Sequence, residues 1–445
     1  MSPDGPENQA GIRPLASGGA RGYALTILMI VSVLNLVDRQ IMNILAEPIK
    51  RDLGLADWQL GVLTGFAFAL FYSLLGLPIA RYAEHAHRPR IIAVSMAVWS
   101  LFTVLCGYSQ NILQLVLMRI GVGAGEAGCT PAQLALTADY APPEKRSSAI
   151  AFVSLGTPIG FLLGTAIGGL VADAYGWRAA FLIVGAPGLF LALVVAFTLP
   201  EPRQTAVPDQ RRSSAPRASL REALGILAVN RTFALLLIAV AIKAMISSGQ
   251  SPFTASFLLR NHAAELAALA GQFGLGSTGF VGICIGLVGG FSGLTGIFLG
   301  GKIGDRYGSR DARILVLIPA VSSIVSIPIC LLWASVGDVV PALLLLALQG
   351  VVNGLWYGPV YAVALSIVPA HMRATTAAIL LLAVNLVGPG VGPVVVGLIS
   401  DIFAQGLDLG IAEGLRWAMI INALPGVLAG YLFWRCARSV RQDMI

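Results

Sequence analysis

Residues 301–310 read Gly-Lys-Ile-Gly-Asp-Arg-Tyr-Gly-Ser-Arg, a short charged segment with a long apolar run on each side. A similar segment, residues 80–90, reads Ala-Arg-Tyr-Ala-Glu-His-Ala-His-Arg-Pro-Arg and also separates two apolar runs. The acidic residues of the two segments, Glu84 and Asp305, are 221 positions apart. The same pattern, a charged turn between apolar runs, is therefore present in both halves of the sequence.

Two further segments are repeated in the same order. Residues 142–149, Pro-Pro-Glu-Lys-Arg-Ser-Ser-Ala, return as residues 369–377, Pro-Ala-His-Met-Arg-Ala-Thr-Thr-Ala, with the arginines 227 positions apart. The Trp-Arg pair at Arg178 returns as Arg-Trp at Arg416, 238 positions later. Three repeats at similar offsets indicate a duplicated unit, and parallel six-span halves around a central site are typical of secondary transporters.

The composition excludes a water-soluble protein. Only 11% of the 445 residues are Asp, Glu, Lys or Arg, and 56% are hydrophobic, whereas soluble proteins carry about 25% charged residues. The positive residues lie between the apolar runs and form no patch with interleaved aromatic residues, which argues against nucleic acid as a partner.

The apolar runs have the length of membrane spans. About 20 apolar residues cross the hydrocarbon core of a bilayer, and a helix satisfies its own backbone there. We therefore predict an all-α membrane protein with twelve transmembrane helices in two six-helix halves. The predicted spans, numbered one to twelve in chain order, are residues 23–46, 58–80, 91–110, 112–138, 147–172, 179–199, 232–259, 276–301, 314–336, 339–367, 374–400 and 415–434.

The positive residues predict the orientation. With the N-terminus inside, 21 of the 29 Lys and Arg residues lie in inner loops and tails, 5 lie in outer loops and 3 lie within spans. Because positive loops stay in the cytoplasm, we expect both termini there, in a bacterial-type inner (plasma) membrane. The predicted units are a cytoplasmic tail at 1–22, a six-helix bundle at 23–199, a cytoplasmic linker at 200–230, a second six-helix bundle at 231–436 and a cytoplasmic tail at 437–445.

Over essentially its whole length the sequence resembles the major facilitator superfamily. Residues 301–310 are similar to the loop signature G-x-L-A-D-R-x-G-R-R of that family. The copy in the first half departs from it, with Glu84, His85 and His87 in place of Asp, Arg and Gly. The resemblance implies transport by alternating access, in which the two halves rock about a site at mid-membrane.

Two short motifs resemble the spinster branch of this superfamily. They are residues 35–39, Asn-Leu-Val-Asp-Arg, and residues 119–127, Arg-Ile-Gly-Val-Gly-Ala-Gly-Glu-Ala. The branch resembles exporters of lysophospholipids and sphingosine phosphate. It also implies that spans one and four line a central cavity.

Ionisable residues inside the spans are the candidates for function, because each costs at least about 2.5–3.5 kcal/mol at the bilayer centre. At a rise of about 1.5 Å per residue, Asp38 lies roughly 22 Å from the inner surface and Arg119 roughly 10 Å from the outer surface. In a core about 30 Å thick, the two lie at nearly one level. The spans contain five such residues: Asp38, Arg39, Arg119, Glu126 and Lys243.

We predict that the first four of these residues form a proton-coupling site. Burial disfavours a charged carboxylate and a nearby arginine favours it, so a cavity that opens to each side in turn lets Glu126 load and release a proton. Asp38 is expected to be held ionised by its neighbour Arg39. The alternative is a static buried ion pair that only fixes helix packing.

Lys243 lies near mid-depth in span seven and is predicted to bind an anionic group of the substrate. Gln250, Asn353, Trp356 and Tyr357, in spans seven and ten, are predicted to add hydrogen bonds and an aromatic wall. The alternatives are that Lys243 extends towards the inner interface and that the other four only pack helices together.

Charged residues at the inner ends of the spans are predicted to form an inner gate. The alternative is that these charges only set the topology. Glycines in span five and in residues 388–393 support movement of the helices, since small residues allow close approach and proline bends a helix. The predicted gate residues are Glu84, Arg88, Asp305, Arg306 and Arg310.

Enzyme functions have little support. Residues 290–293, Gly-Phe-Ser-Gly, match the short serine motif of intramembrane proteases, but that chemistry needs a base and no histidine lies within a predicted span. The sequence has no GxxxxGK[ST] loop for ATP and no histidine pair at metal-ligand spacing. We expect no enzyme activity, no metal and no cofactor other than the proton gradient.

The sequence therefore predicts a proton-coupled antiporter that exports an amphipathic anionic lipid, such as a lysophospholipid. A symporter for a small organic anion and a multidrug exporter are the alternatives, and an intramembrane hydrolase is a more distant one. The expected partners are a small-molecule or lipid substrate, protons and membrane lipids, and we expect a monomer.

Overall fold

The computed structural model describes residues 18–83, 85–202, 230–369 and 372–443. All regular secondary structure in these residues is helical. Eleven helical segments are long and apolar enough to cross a membrane. One of them, Pro143–Thr198, contains both predicted spans five and six, and Gly176 with φ of +82° separates the two. Only glycine adopts this backbone conformation without strain, so twelve spans are present as predicted.

The first half contains spans one to six. Asn111 begins span four, where its side chain accepts a hydrogen bond from the N–H of Gln114 and caps the helix. The α-helices are Gly18–Leu53, Asp57–Gly61, Ala67–Ala83, Arg88–Cys106, Ile112–Glu126, Cys129–Tyr140, Arg146–Ser154 and Gly156–Thr198, with a π-helical turn at Val62–Phe66 and a 3₁₀ turn at Pro143–Lys145.

The second half contains spans seven to twelve. Asn230 caps span seven in the same way, accepting from the N–H of Phe233. The α-helices are Arg231–Gln250, Phe253–Asn261, Ala263–Gln272, Ser277–Gly308, Arg313–Ser335, Val339–Gly354, Tyr357–Ser366, Arg373–Asn385, Gly392–Asp401, Gly410–Ala423 and Gly426–Asp443, with π-helical turns at Leu386–Val391 and Ile402–Gly406.

Several boundaries differ from the predicted ones. Span one begins at Gly18 and runs to Leu53, and the last helix continues to Asp443, so most of the predicted C-terminal tail is helical. A short helix, Ala263–Gln272, lies in the connection between spans seven and eight, where none was predicted. Most of the predicted linker at 200–230 falls outside the described residues, as does the tail before Gly18.

We call inner the end that carries the connections 83–88 and 308–313, which the charges predict to be cytoplasmic, and outer the opposite end. The buried apolar residues form three clusters. One joins both halves at the outer end and includes Ile49, Leu55, Phe257 and Trp333. The other two are confined to one half each and lie towards the inner end. The hydrophobic core is therefore continuous at the outer end and divided at the inner end.

Spans five and eight show how the halves diverge. A Cβ atom on Gly282 would lie 2.2 Å from the carbonyl oxygen of Thr165, so the two helices touch there through backbone. Two turns further towards the inner end, a Cβ on Gly290 would lie 3.8 Å from the carbonyl oxygen of Pro158. At Gly293, apart from its chain neighbours and the backbone of its own helix, no described atom lies within 4 Å of that position. The halves are closed against each other outside and separated inside.

Candidate functional site

A cavity of about 430 Å³ lies between the two halves. Its wall is formed by amide, hydroxyl, aromatic and aliphatic side chains, and no Asp, Glu, Lys or Arg is among its described lining residues. The cavity therefore offers hydrogen bonds and apolar surface without a formal charge. Its polar and aromatic wall residues are Gln40, Asn43, Phe161, Thr165, Ser247, Gln250, Ser251, Thr254, Ser292, Trp333, Gln349, Asn353, Trp356 and Tyr357.

The structure brings the predicted charges of spans one and four together. Arg39 Nε lies 2.7 Å from Glu126 Oε2, and the Glu126 side chain is completely buried. The second carboxylate oxygen of Glu126, Oε1, is buried without a hydrogen-bond partner among the described residues. Arg39 is partly exposed, and neither member of the pair is among the described residues that line the cavity.

Asp38 has a different partner from the expected one. Its Oδ1 accepts a hydrogen bond from the hydroxyl of Thr103, and its Oδ2 is buried without a partner in the described part of the chain. The expectation that Arg39 holds Asp38 is wrong, because the guanidinium of Arg39 pairs with Glu126. Successive residues of a helix point about 100° apart, so the two side chains face different neighbours.

Aromatic rings of span two complete this charged cluster. The guanidinium carbon of Arg39 lies 4.8 Å from the ring centroids of both Phe68 and Tyr72. The guanidinium carbon of Arg119 lies 5.4 Å from the Phe68 centroid, and its Nε donates to the carbonyl oxygen of Leu63 at 3.4 Å. Ring faces attract cations at these distances. Sequence reasoning missed Thr103, Phe68 and Tyr72, since nothing in their spacing shows that they face the charges.

Lys243 is buried and does not line the cavity. Its Nζ donates to Asn353 Oδ1 at 3.0 Å and lies 3.5 Å from the carbonyl oxygen of Ser322. Asn353 is part of the cavity wall. Lys243 was predicted to bind the substrate directly. In the structure it contacts the cavity wall through Asn353 and does not itself face the cavity.

Gln250 lines the cavity, and both ends of its amide are bonded to the protein. Its Oε1 accepts from Gln349 at 2.9 Å, and its Nε2 donates to the carbonyl oxygen of Met419 at 3.2 Å and lies 3.3 Å from Cys330 Sγ. Trp333 Nε1 in turn donates to Gln349 at 2.5 Å. This chain of bonds gives Gln250 a structural role in the wall.

Trp356 and Tyr357 lie in the cavity wall next to each other. Their ring centroids are 5.3 Å apart, and Tyr361 continues the aromatic row with its ring 5.0 Å from that of Tyr357. Trp356 is buried, whereas Tyr357 is 43% exposed. The predicted aromatic wall is thus present as a surface of the cavity.

The sequence profile of the Major Facilitator Superfamily matches residues 28–388, which is most of the chain. The chain belongs to this superfamily. It is 32% identical over 425 residues to an MFS-type efflux pump of Mycolicibacterium smegmatis, covering 95% of this chain and 94% of that protein. It is 25% identical to protein spinster homolog 1 of Xenopus laevis, over 94% of this chain and 80% of that protein.

A solved structure has the same fold. The crystal structure of a bacterial homologue of the human lysosomal transporter Spinster, in an inward-facing and unoccupied conformation, matches with a TM-score of 0.85. The sequences are 29% identical, and the match covers 97% of this chain and 99% of that chain. The protein is therefore a spinster-like major facilitator and a secondary transporter in a membrane.

The inner end of the transporter carries the predicted gate residues. Arg88 is buried within the first half, where its Nη1 lies 2.7 Å from Asp139 and its backbone N–H donates to Glu201 at 2.8 Å. Asp305, Arg306 and Arg310 are exposed and make no ion pair with any described residue. Glu84 lies outside the described residues. No bond between the halves is formed by the described gate residues in this inward-facing arrangement.

The outer end is held by a buried charge cluster that sequence reasoning missed. We call Glu47, Asp57 and Arg260 the outer clamp. Arg260 Nη1 and Nη2 each lie 2.8 Å from the Asp57 carboxylate, and its Nε lies 2.8 Å from Glu47. Lys50 adds a contact of 2.5 Å to Asp57. Because Arg260 belongs to the second half and the carboxylates to the first, the clamp closes the outer side.

Proposed function

We propose that this transporter couples proton movement to the export of an amphipathic anionic lipid, such as a lysophospholipid. The observation that supports coupling is the Arg39–Glu126 pair. One carboxylate oxygen of Glu126 and one of nearby Asp38 are buried without a hydrogen-bond partner among the described residues. A carboxylate oxygen buried without a partner is costly, and protonation lowers that cost by removing the buried negative charge. These two carboxyl groups are therefore the proposed proton carriers.

Protonation of Glu126 has a mechanical consequence in this proposal. The neutral acid no longer balances the charge of Arg39, and leaving one member of a buried ion pair unmatched costs about 3–5 kcal/mol. Spans one and four then have different preferred arrangements in the two protonation states. An equilibrium between inward-facing and outward-facing forms responds to such a difference.

The lipid class is supported by the cavity wall and by the resemblance to the spinster branch, which implies export of lysolipids. The wall combines hydrogen-bonding groups with aliphatic and aromatic surface, as an amphipathic molecule requires. Similarity to spinster homologues extends over nearly the whole chain. Both features fit a substrate with a polar head and an apolar chain.

A multidrug exporter is the second candidate, because one relative of nearly equal length is an MFS-type efflux pump and the cavity wall carries no formal charge. An intramembrane hydrolase has no support at Ser292, whose Oγ contacts no base among the described residues. We expect Ser292→Ala to leave any hydrolysis of lipid esters by the purified protein at background level, as in the wild type.

Uptake into proteoliposomes distinguishes the candidates. The purified protein is tested under an imposed pH gradient with oleoyl lysophosphatidic acid, benzoate and ethidium as separate substrates. Proton-driven movement of the lysolipid, without movement of benzoate or ethidium, is the expected result. Movement of ethidium alone would favour the multidrug exporter, and movement of benzoate alone would favour the small-anion symporter.

A further inference from the structure

Lys243 is a buried cation whose partners in the described part of the chain are all uncharged. Its described partners are the side-chain oxygen of Asn353, at 3.0 Å from Nζ, and the carbonyl oxygen of Ser322, at 3.5 Å. No carboxylate forms an ion pair with it in the described part of the chain. Its positive charge is therefore not balanced by a neighbouring acid.

This contact fixes the orientation of the Asn353 amide. An ammonium group has three donors and no acceptor, so Asn353 must turn its oxygen towards Lys243. Its NH₂ group then points away from Lys243. Asn353 lies in the cavity wall, and its Nδ2 donates to no described residue. The amide thus presents two free donors on the side away from the lysine.

Ser292 supplies a second donor nearby. Its side chain is buried and lines the same cavity, and its Oγ has no hydrogen-bond partner among the described residues. A Cβ on Gly350 would lie 2.1 Å from this oxygen. Gly350 is one helical turn before Asn353, so the hydroxyl lies beside the turn that carries the amide.

The unused donors and the buried positive charge define one kind of ligand. A group rich in acceptors, such as a phosphate or a carboxylate, accepts from both donors and lies in the positive potential of Lys243. We propose that Asn353 and Ser292 bind the anionic group of the substrate, and that Lys243 is a positioning residue that acts through Asn353 without touching the substrate. This inference rests on the proposed transport of an anionic amphipathic molecule.

Equilibrium binding to the purified full-length protein, without a proton gradient, tests the proposal. The ligands are oleoyl lysophosphatidic acid, oleate and monooleoylglycerol, which carry the same acyl chain with a phosphate, a carboxylate or no charge. Binding is followed by tryptophan fluorescence, since Trp356 lies in the cavity wall. Comparison of the first two ligands shows which anion the site prefers.

The expected pattern is selective for the anions. Asn353→Leu and Lys243→Met each weaken lysophosphatidic acid binding about tenfold, the size expected for losing a hydrogen bond to a charged group. Both variants bind monooleoylglycerol within about twofold of the wild type. The double variant is no weaker than Asn353→Leu alone, because residues that act as one unit are not additive. Ser309→Ala, at an exposed inner position outside the cavity wall, is the control and leaves all three affinities unchanged.

Three results would overturn the proposal. In the first, neither anionic ligand binds the wild type more tightly than monooleoylglycerol does. In the second, the Asn353→Leu variant loses affinity for all three ligands equally. The third is that the Lys243→Met and Asn353→Leu effects multiply in the double variant, which would show direct contact by Lys243. If Lys243→Met does not give a monodisperse protein, Ser292→Ala replaces it, with about a threefold selective loss for the anions expected.

Failure of the proposed function is distinguishable from failure of this inference. Selective anion binding together with the absence of proton-driven transport would contradict coupling and leave the anion site intact. Proton-driven transport of lysophosphatidic acid by Asn353→Leu at wild-type affinity would contradict the site and leave coupling intact.

Discussion

Asp173 and Asp401 lie 228 positions apart in the sequence, and each carboxylate accepts backbone N–H bonds at the beginning of a helix in the opposite half. Asp173, at the end of span five, accepts from Gly279 at 2.6 Å. Asp401, at the end of span eleven, accepts from Asp57 at 3.0 Å and from Trp58 at 2.8 Å. The repeat seen in the sequence therefore extends to the contacts that close the outer end.

These two carboxylates are predicted to stabilise the inward-facing form. A negative charge at a helix N-terminus is favourable by about 0.3–1 kcal/mol at an exposed site. Asp401→Asn and Asp173→Asn should therefore each raise the outward-facing fraction about twofold to fivefold. The measurement is labelling of an Asn43→Cys cavity reporter by a membrane-impermeant maleimide added outside intact cells, in a background without native cysteines. Equal labelling with and without the substitutions would contradict this role.

Arg260→Met is predicted to open the outer side more strongly. It leaves the carboxylates of Asp57 and Glu47 buried without their shared cation, and breaking such a pair costs about 3–5 kcal/mol. Labelling of the Asn43→Cys reporter from outside should rise at least about tenfold, since about 1.4 kcal/mol corresponds to a factor of ten.

The matched control is Arg178→Met. Arg178 pairs with Asp52 at 2.5 Å on the same outer side, but both residues belong to the first half and are largely exposed. Hydrogen bonds from Arg178 and Trp177 hold the pKa of the Asp52 carboxyl below its usual value. Because this pair does not join the halves, its loss should leave reporter labelling unchanged. A similar rise in both variants would show that the labelling reports a general loss of packing and not the opening of the outer side.

Gly282→Ala is predicted to strain the contact between spans five and eight. The added methyl would lie 2.2 Å from the carbonyl oxygen of Thr165, and overpacking of this kind costs about 1–3 kcal/mol. The melting temperature of the purified protein should fall by several degrees. Gly293→Ala on the same helix is the control, because a methyl there would contact no described atom beyond its own helix within 4 Å. A fall of equal size in the control would contradict the close contact.

Arg88→Met is predicted to destabilise the first half. The substitution leaves Asp139 and Glu201 without the buried guanidinium that they share, at a cost of about 3–5 kcal/mol. The expected result is a clear loss of monodisperse protein and a lower melting temperature. Arg310→Met, at an exposed inner position, should melt as the wild type does. An unchanged melting temperature for Arg88→Met would show that the pair does not stabilise the fold.

The membrane architecture was predictable because an apolar run of about 20 residues has few possible structures other than a transmembrane helix. A run such as residues 179–199 has to be a helix in lipid, and the repeated charged turns place each run in one of two equivalent halves. The short connection between spans five and six was not predictable. The two helices are separated only by the backbone conformation of Gly176, which the sequence does not specify.

The sequence predicted how deep in the membrane the candidate site residues lie, but it did not predict which way their side chains point. The rise per residue correctly placed the charges of spans one and four close together. Which way a side chain points around the helix axis depends on neighbouring helices, and for that reason Arg39 was assigned to Asp38 instead of Glu126. The same limit applies to Lys243, whose depth suggested a cavity but whose ammonium faces Asn353. The outer clamp was missed because its residues occur in two connections that are far apart in the sequence, one after predicted span one and one after predicted span seven.

The Arg39–Glu126 pair is the centre of the coupling proposal, and Glu126→Gln tests it most directly. The substitution keeps the shape of the side chain and removes its ability to carry a proton. Glu413→Gln, at an exposed carboxylate near Arg416, is the control. Both proteins are reconstituted in liposomes, and the rate of lysophosphatidic acid transport is measured with and without a pH gradient.

The account predicts that the gradient accelerates transport by the wild type and by Glu413→Gln. Glu126→Gln should transport at the same rate with and without the gradient, while still exchanging substrate across the membrane and melting as a folded protein. Acceleration of Glu126→Gln by the gradient to the same extent as the wild type would contradict the account.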